Sequence, residues 1–431
     1  MNKQVIGKTI LTGIMTMAVC VLLLTATACI PRKMIQKNSE LSAEYVSDLI
    51  QFPTLIGEYI NSMQDNYSDT VLFNIIYCVD TTHPFQSVMQ AKYAQSPGQS
   101  SGEGYLKMVQ GENAITQEYG RYWHGTSVVL RLLLMVMPIY VIRPLFGAVG
   151  CGMYLWACFL LGKKKKIAFA VCLVLGLCFV EPWMFFVSLE FSTAFLAGSG
   201  AMLFAALNWQ ETKKKNWMPF FAAVGVITCF VDFLTTETLT YSLPMAVILV
   251  LSADSIKESI LHMIKNGVAW LGGYLSMFAL KIGILTVVSG KEVMQASMRE
   301  GFFRLGGETR LGNISLAPTT DFFGQLHGAI WHNLACLYPV KAGVMDAADA
   351  WIPTLVILLA GLILVYLLHN KIDWDHFVPL ILLGLLPFLR FLVLSNHAYI
   401  HFFITYRALI VFIAVFLYFV YENSLVSLIK K

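Results

Sequence analysis

The chain has 431 residues, of which 57% are hydrophobic and 13% charged, and its formal net charge is +4. A soluble domain carries about 25% charged residues, so this composition, with a mean hydropathy of +0.66, excludes a soluble enzyme and describes an integral membrane protein. The small positive charge does not point to nucleic acid, because the lysines sit in short blocks between apolar runs.

The nine cysteines include no Cys-x-x-Cys pair, and the odd total argues against a disulfide or metal framework. Cys20, Cys151, Cys158, Cys172, Cys178 and Cys229 fall inside apolar runs, where cysteine acts as a small hydrophobe. Cys78 and Cys336 lie in the two long polar segments and are available to pair.

Lys3 and Lys8 precede an apolar run from Ile10 to Ile30, ending in Ala26-Thr27-Ala28-Cys29, which loosely resembles a lipoprotein cleavage site. The run is too long for a signal-peptide core and many spans follow, so an uncleaved signal-anchor is expected over 1–30. Crossing a bilayer core of about 30 Å takes about 20 apolar residues. That criterion predicts spans at 10–30, 142–162, 167–187, 190–210, 217–235, 239–253, 267–289, 351–369, 376–394 and 402–421. The fold class is therefore all-α and polytopic, with about ten transmembrane helices and a long loop after the first. The domains read as the anchor 1–30, a loop at 31–141, a bundle at 142–289, a second loop at 290–350 and C-terminal helices at 351–431.

Orientation follows from the lysines. Lys163–Lys166, Lys213–Lys215, Lys257 with Lys265, Lys371 and Lys430-Lys431 fall in alternate connections, on the same side as Lys3 and Lys8. This repeated positive-inside pattern places both termini in the cytoplasm and the loops 31–141 and 290–350 outside, in a multi-pass protein of the cell membrane.

Within the first loop, Leu41–Ile60 reads as one or two interfacial amphipathic helices, and Asp69–Met89 as a further helix ended by His83-Pro84. Gln95–Gly104, rich in small polar residues and breakers, reads as flexible, and Val128–Met137 as returning to the interface with Arg131 snorkelling. Asp254–Lys265 reads as a cytoplasmic surface helix.

Four spans entering from the cytoplasmic side each carry one ionisable residue, Glu181, Asp232, Lys281 and Arg390, about 14 or 15 positions in, or roughly 21–23 Å along a helix. Arg407 reaches a similar depth from the other direction. Each costs about 2.5–3.5 kcal/mol at the centre of a span, so such residues face a bundle interior, a partner or water. Two arrangements satisfy this: pairing, for example Glu181 with Lys281 and Asp232 with Arg390, or a wet pocket open outward beneath the first loop. His397 and His401 stand one turn apart without the acidic residue of a zinc-protease motif. On a continuous helix Asn396, Phe403 and Arg407 would share a face, and the guanidinium of Arg407 would suit a phosphate. The sequons Asn66-Tyr67-Ser68 and Asn313-Ile314-Ser315 are too common by chance to carry weight. No nucleotide-binding Gly motif or Ser/Cys nucleophile motif occurs.

The layout of one span, a long outer loop with an acidic residue and then a tightly connected bundle resembles the GT-C type of membrane glycosyltransferase. Asn66-Tyr67-Ser68-Asp69, Tyr119-Gly120-Arg121-Tyr122-Trp123-His124-Gly125, Phe230-Val231-Asp232-Phe233-Leu234-Thr235 and Asn396-His397-Ala398-Tyr399-Ile400-His401 with Tyr406-Arg407 resemble signatures of bacterial glucosyltransferase-like multipass proteins. The sequence departs from the GT-C pattern in lacking an Asp-x-Asp or Glu-x-Asp pair soon after the first span.

The resemblance implies transfer of a sugar from a polyprenyl-phosphate donor to a glycan or lipid acceptor of the cell envelope at the outer face. Such a reaction needs a carboxylate to take the acceptor's proton and cations to stabilise the phosphate leaving group. Asp69 is the expected carboxylate, with Asp232 second. Arg407 and Arg390 are expected at the phosphate, Arg121, Trp123 and His124 at the sugar, and Lys281, His397 and His401 around the same pocket. No cofactor is required, and a divalent metal ion stays open. The competing classes are a transporter or flippase for a lipid-linked saccharide and a non-catalytic envelope-assembly protein.

Overall fold

The structure, a computed structural model, describes residues 3–208, 216–252, 254–306, 321–369 and 372–425. Lys213–Lys215, Lys371, Lys430-Lys431 and the Asn313–Ser315 sequon lie outside the described residues.

The chain is helical nearly throughout. After α1 (Lys3–Ala28) the first loop holds α2 (Arg32–Ser47), α3 (Asn66–Cys78), α4 (Pro84–Gln90), strand β1 (Lys92–Ala94), α5 (Ser101–Val109), strand β2 (Thr116–Glu118) and α6 (Ser127–Leu133). The bundle follows as α7 (Ile139–Lys163), α8 (Ile167–Cys178), α9 (Leu189–Leu207), α10 (Met218–Val231), α11 (Thr238–Leu251) and α12 (Ile256–Ser289). The second loop contributes α13 (Lys291–Gly306) and α14 (Phe322–Ala335). The chain ends with α15 (Ala347–Leu368), α16 (Trp374–Gly384), α17 (Leu386–Val393), α18 (Ser395–Ile400), α19 (Phe402–Thr405) and α20 (Ile410–Val420).

Seven helical segments among the described residues are long and apolar enough to cross a membrane: α1, α7, α9, α12, α15, the α16–α17 pair and the segment from α19 through α20. This establishes a multi-pass, all-α membrane protein. The expected spans at 167–187, 217–235 and 239–253 are realised as shorter apolar helices, α8, α10 and α11. Their ends have local causes. Glu181 adopts φ +55° before Pro182, which closes the path of α8. Asp232 turns extended and ends α10.

Other expectations are corrected. Asp254–Lys265 is no separate surface helix: Ser255 and Glu258 form a capping box that starts the 34-residue α12, about 51 Å long, and no proline interrupts it. The interfacial helix expected over Leu41–Ile60 instead lies at Arg32–Ser47, and that expected over Asp69–Met89 is split into α3 and α4.

Gln95–Gly104 is a packed element. Ser100 and Glu103 form a capping box for α5. A Cβ on Gly104 would lie 2.1 Å from the carbonyl of Ala94, and one on Gly102 2.7 Å from that of Val46. These glycines let α5 press against neighbouring backbone.

Arg131 does not snorkel; it is buried and donates to the carbonyls of Ile76 and Ile30, tying α6 to the ends of α3 and α1. Cys78 and Cys336 are both free thiols.

The main core runs through α7 to α11 and α14 to α20. A second cluster, including Val46, Phe73, Tyr105, Leu130 and Phe146, packs the first loop onto α7. A third joins Leu24 and Ala28 of α1 to Met89, Trp123, Phe230 and Met277. β1 and β2 pair antiparallel, Lys92 opposite Glu118 and Ala94 opposite Thr116. The first loop is thus a folded cap on one end of the bundle.

In that bundle α10 and α12 pack backbone against backbone. A Cβ on Gly225 would lie 1.9 Å from the carbonyl of Trp270, and one on Gly273 2.2 Å from that of Ala222. Small residues let helix backbones approach where lipid offers no hydrophobic drive. Gly225→Ala is therefore expected to cost about 1–3 kcal/mol through overpacking, read as a lowered melting temperature in detergent. An unchanged melt would show that the two backbones can separate freely.

Candidate functional site

The cap and the bundle enclose a cavity of about 310 Å³. Its cap wall is built by the residues around α3 and by the segment after β2; its bundle wall comes from α9, the α10–α11 connection and α18–α19.

Asp65 caps the N-terminus of α3, accepting from the Ser68 amide at 2.8 Å and the Ser68 hydroxyl at 2.7 Å, and it lines the cavity with Phe52 and Tyr67. Asp69, one turn further on, lies behind the wall. Its carboxylate accepts from Arg143 Nε at 2.7 Å, from the Leu189 amide at 3.0 Å and from the Glu190 amide at 3.1 Å. It thereby caps α9 from another helix. The residue expected to act as the base is fully engaged as a clamp, and Glu190, whose amide it holds, sends its own side chain to the cavity wall. Glu190 is 8% exposed and feels the charges of Asp65, Asp232 and Asp69.

After β2 the chain turns through Gly120, where a Cβ would lie 2.8 Å from the Met89 carbonyl. Arg121 lies 4.4 Å over the ring of Tyr119 and 5.4 Å over that of Tyr122, and donates to the Tyr119 hydroxyl at 3.1 Å. His124 takes φ +52° and places Nε2 2.9 Å from the Tyr119 carbonyl, with Phe233 5.1 Å away. All of these line the cavity. Trp123 does not: it is buried toward α12, donating from Nε1 to the Met277 carbonyl at 3.0 Å. Beneath it Lys281 donates to the Met89 carbonyl at 2.9 Å, its ammonium 5.2 Å from the Trp123 ring. This pair pins the cap to α12.

Of the two arrangements open for the charged layer, the example pairs Glu181–Lys281 and Asp232–Arg390 are not formed among the described residues. Glu181 accepts from Asn61 at 3.2 Å and from Trp183 at 2.6 Å. Asp232 accepts from the amide of Thr235 at 3.1 Å and from its hydroxyl. Arg390 pairs at 2.8 Å with Glu237, a carboxylate the sequence reading passed over. Arg407 is completely buried, 4.1 Å over the Phe191 ring, and donates to the Phe403 carbonyl one turn back. The continuous helix from Asn396 is interrupted at His401, so the shared face expected for Asn396 and Arg407 does not arise. His397 and His401 do line the cavity, their rings 4.6 Å apart. Among the described residues no group of three or more His, Cys, Asp or Glu is disposed to hold a metal ion.

Of the ten residues singled out from sequence, Arg121, His124, His397 and His401 therefore meet on the cavity wall. Asp69, Asp232, Trp123, Lys281, Arg390 and Arg407 stand outside it. Asp65, Glu190, Tyr67 and Phe233, also on the wall, were not among the residues assigned to the site. The signal for Asp65 was its spacing to Ser68 ahead of an apolar run; that for Glu190 was an acidic residue in the first turn of a span, which reads equally as a helix-dipole partner.

What the wall can do follows from its electrostatics. Burial raises the Asp65 carboxyl to about 7, with the negative charge of Asp69 adding and the Ser68 hydrogen bonds opposing. Burial pushes the His124 imidazole down to about 3, so it is neutral near pH 7. Asp65 can therefore take or give a proton near neutrality, and Tyr67, Tyr119 and Phe233 line the same cavity.

The chain matches no family model, no curated protein and no solved structure.

Asp69→Asn breaks a buried ion pair and leaves the Arg143 charge uncompensated, an expected loss of about 3–5 kcal/mol, measured by thermal melting; a variant melting with wild type would refute the clamp.

Folded Asp65 holds its proton to higher pH than the unfolded chain, so its contribution to stability is full below about 4 and is lost as pH rises to about 7. His124 acts oppositely, costing stability as pH falls below about 6.5. Subtracting the melting curve of Asp65→Asn isolates the first effect. The wild-type minus variant difference should move against wild type from pH 4 to pH 7 and then level off; a difference flat across that window would contradict it.

Proposed function

We propose that the cavity is the site at which a sugar passes from a polyprenyl-phosphate donor to a glycan or lipid acceptor, as in the GT-C glycosyltransferases that the sequence resembles. The observation that carries this reading is the wall itself. Two carboxylates, Asp65 and Glu190, one guanidinium, Arg121, and several aromatic rings share one cavity in a membrane-embedded chain. A lipid-linked donor fits a protein without a nucleotide motif. The Lys163–Lys166 block supports placing the opposite end of the bundle in the cytoplasm and the cavity at the outer face of the cell membrane.

In this reaction the acceptor oxygen bonds to the anomeric carbon while the bond from that carbon to the donor phosphate oxygen breaks. The electron pair leaves with the polyprenyl phosphate, and the acceptor's proton goes to a carboxylate. Glu190 takes that role. It reaches the wall from the first turn of α9, and among the described residues its side chain makes no hydrogen bond or ion pair, whereas Asp65 also serves as a helix cap. Arg121 faces the departing phosphate, where a guanidinium stabilises developing charge. The aromatic faces hold the sugar.

The test is release of label from a polyprenyl-phosphate-linked sugar by purified protein, across a panel of sugars and envelope acceptors. Glu190→Gln is expected to lower the rate about 10²–10⁴-fold with an unchanged melting temperature. Full activity in that variant would remove Glu190 as the base. Movement of a labelled lipid-linked saccharide across proteoliposomes without transfer would replace the enzyme with a flippase.

A further inference from the structure

At the end of the bundle opposite the cap lies a second cavity, of about 620 Å³, a volume that suits a small-molecule ligand. Its place follows from α7, which starts at the cap, where the Ile139 amide donates to Ser42, and ends at Lys163. Four carboxylates line this cavity, Asp254, Asp373, Asp375 and Glu422, against one lysine, Lys166. They come from three separate places: the entry to α12, the start of α16 and the residues just past α20. An acidic concavity beside the Lys163–Lys166 block is the reverse of the charge expected at that end, and its field concentrates cations.

The four acids differ in what they already bind. Asp375 accepts from the Ile256 amide at 2.9 Å and Asp373 from the His376 amide at 3.3 Å, so each holds a helix start. Asp254 stands 3.7 Å from the His262 ring. Among the described residues the Glu422 side chain makes no hydrogen bond or ion pair. Ser259 is an independent sign of a ligand. It is 4% exposed and lines the cavity, and among the described residues its hydroxyl has no partner. It does not turn back to the Ser255 carbonyl, as helical serines do; that carbonyl takes only the Ser259 amide. A buried hydroxyl finds a partner as a rule, and a donor held in the cavity supplies one.

The kind of cation follows from how the acids are spread. Among the described residues no three of them converge as metal ligands do, so a bare ion at one point would leave most of the charge unmet. Leu249 and Phe377, both buried, line the same space together with Tyr418. Carboxylates spread around apolar surface match ammonium groups spaced along methylenes. Each ammonium has three donors for carboxylate or hydroxyl oxygen, and the alkyl stem covers the apolar part. A zwitterionic lipid head group is a poorer match, because its phosphate would face the same acids.

We propose that this cavity binds a polyamine, a free organic cation with two or more ammonium groups on an alkyl chain, and that Glu422 and Ser259 both contact it. Such a site is independent of the reaction at the other cavity, and either can fail without the other.

The test is calorimetric titration of the full-length protein in a non-ionic detergent with spermidine, putrescine, propylamine and Mg²⁺ at matched ionic strength. Spermidine should bind most tightly, putrescine more weakly, and propylamine and Mg²⁺ more weakly still. Spermidine should also raise the melting temperature, since a ligand of the folded state stabilises it. Glu422→Gln removes a charge without orphaning a partner, so it should melt with wild type when no ligand is added. Its affinity for spermidine should fall about 10- to 100-fold, as for a lost hydrogen bond to a charged group. Ser259→Ala should weaken binding in the same direction by less, and Asp80→Asn, at an exposed acid of the cap, should leave it unchanged.

No spermidine binding, equal binding of spermidine and propylamine, Mg²⁺ binding as tight as spermidine, or unchanged affinity in Glu422→Gln would overturn the assignment. So would an equal loss in Asp80→Asn, which would mark a general attraction to acidic surface. In nanodiscs of phosphatidylcholine, adding phosphatidylethanolamine should not alter the spermidine affinity; competition by that lipid would give the cavity to a lipid head group instead.

Discussion

The clamp of Asp69 on Arg143 and the first amides of α9 is the interaction on which the rest depends. A carboxylate and a guanidinium buried together cost several kcal/mol each to desolvate, recovered only when geometry and extra hydrogen bonds are good. Here the carboxylate is met by one guanidinium nitrogen and two amides, and its own negative charge faces the positive end of the α9 dipole. Three elements, α3 of the cap and α7 and α9 of the bundle, are thereby fixed to one point. The Ser188 hydroxyl adds a bond to the Asp65 carbonyl at 3.1 Å. The two carboxylates of the cavity wall flank this cluster, so its geometry sets theirs.

The same cluster explains how much could be read beforehand. Apolar runs gave the helical class and the approximate place of most elements, because hydropathy reports burial in lipid or protein without needing to know the partner. Element ends depended on local chemistry that composition hides. Gly102 and Gly104 look like breakers in the sequence and are packing residues in the fold, because the backbone they touch lies on α2 and β1. The site was harder still. Asp69 was legible as an acidic residue in the first loop, but what occupies it lies 74 and 120 positions away. Sequence marks an ionisable residue; only the fold says whether its hydrogen bonds are already spent. Arg121, His124, His397 and His401 were found because they stand in dense polar-aromatic runs. Glu190 escaped because one acid at the start of a span looks like a helix-end charge.

The layer of charge at a common depth has a different origin from a pocket. Lys281 meets the Met89 carbonyl, Glu181 meets Asn61, and Arg407 and Arg390 meet backbone carbonyls and a carboxylate within the bundle. Two of these, Lys281 and Glu181, bind the cap directly. A seam where polar cap backbone is laid on apolar helices exposes carbonyls and amides that no helix ladder satisfies, and buried backbone groups must be paired. Lys281 and Glu181 supply partners at that seam and offset part of their own desolvation penalty in doing so.

This divides the ionisable residues by what they still lack. Those along the seam and in the clamp have partners inside the protein, although Arg143, Arg390 and Arg407 each keep at least one buried guanidinium nitrogen without a hydrogen bond among the described residues. Among the described residues Glu190 is matched only in its backbone, and Asp65 through a cap in which each carboxylate oxygen accepts one hydrogen bond from Ser68. Keeping two acids close together at a cavity costs stability that a fold does not need to spend, since like charges raise the cost of ionising either one. Glu190 and Asp65, held by the clamp directly behind them, are thereby fixed in position on the cavity wall.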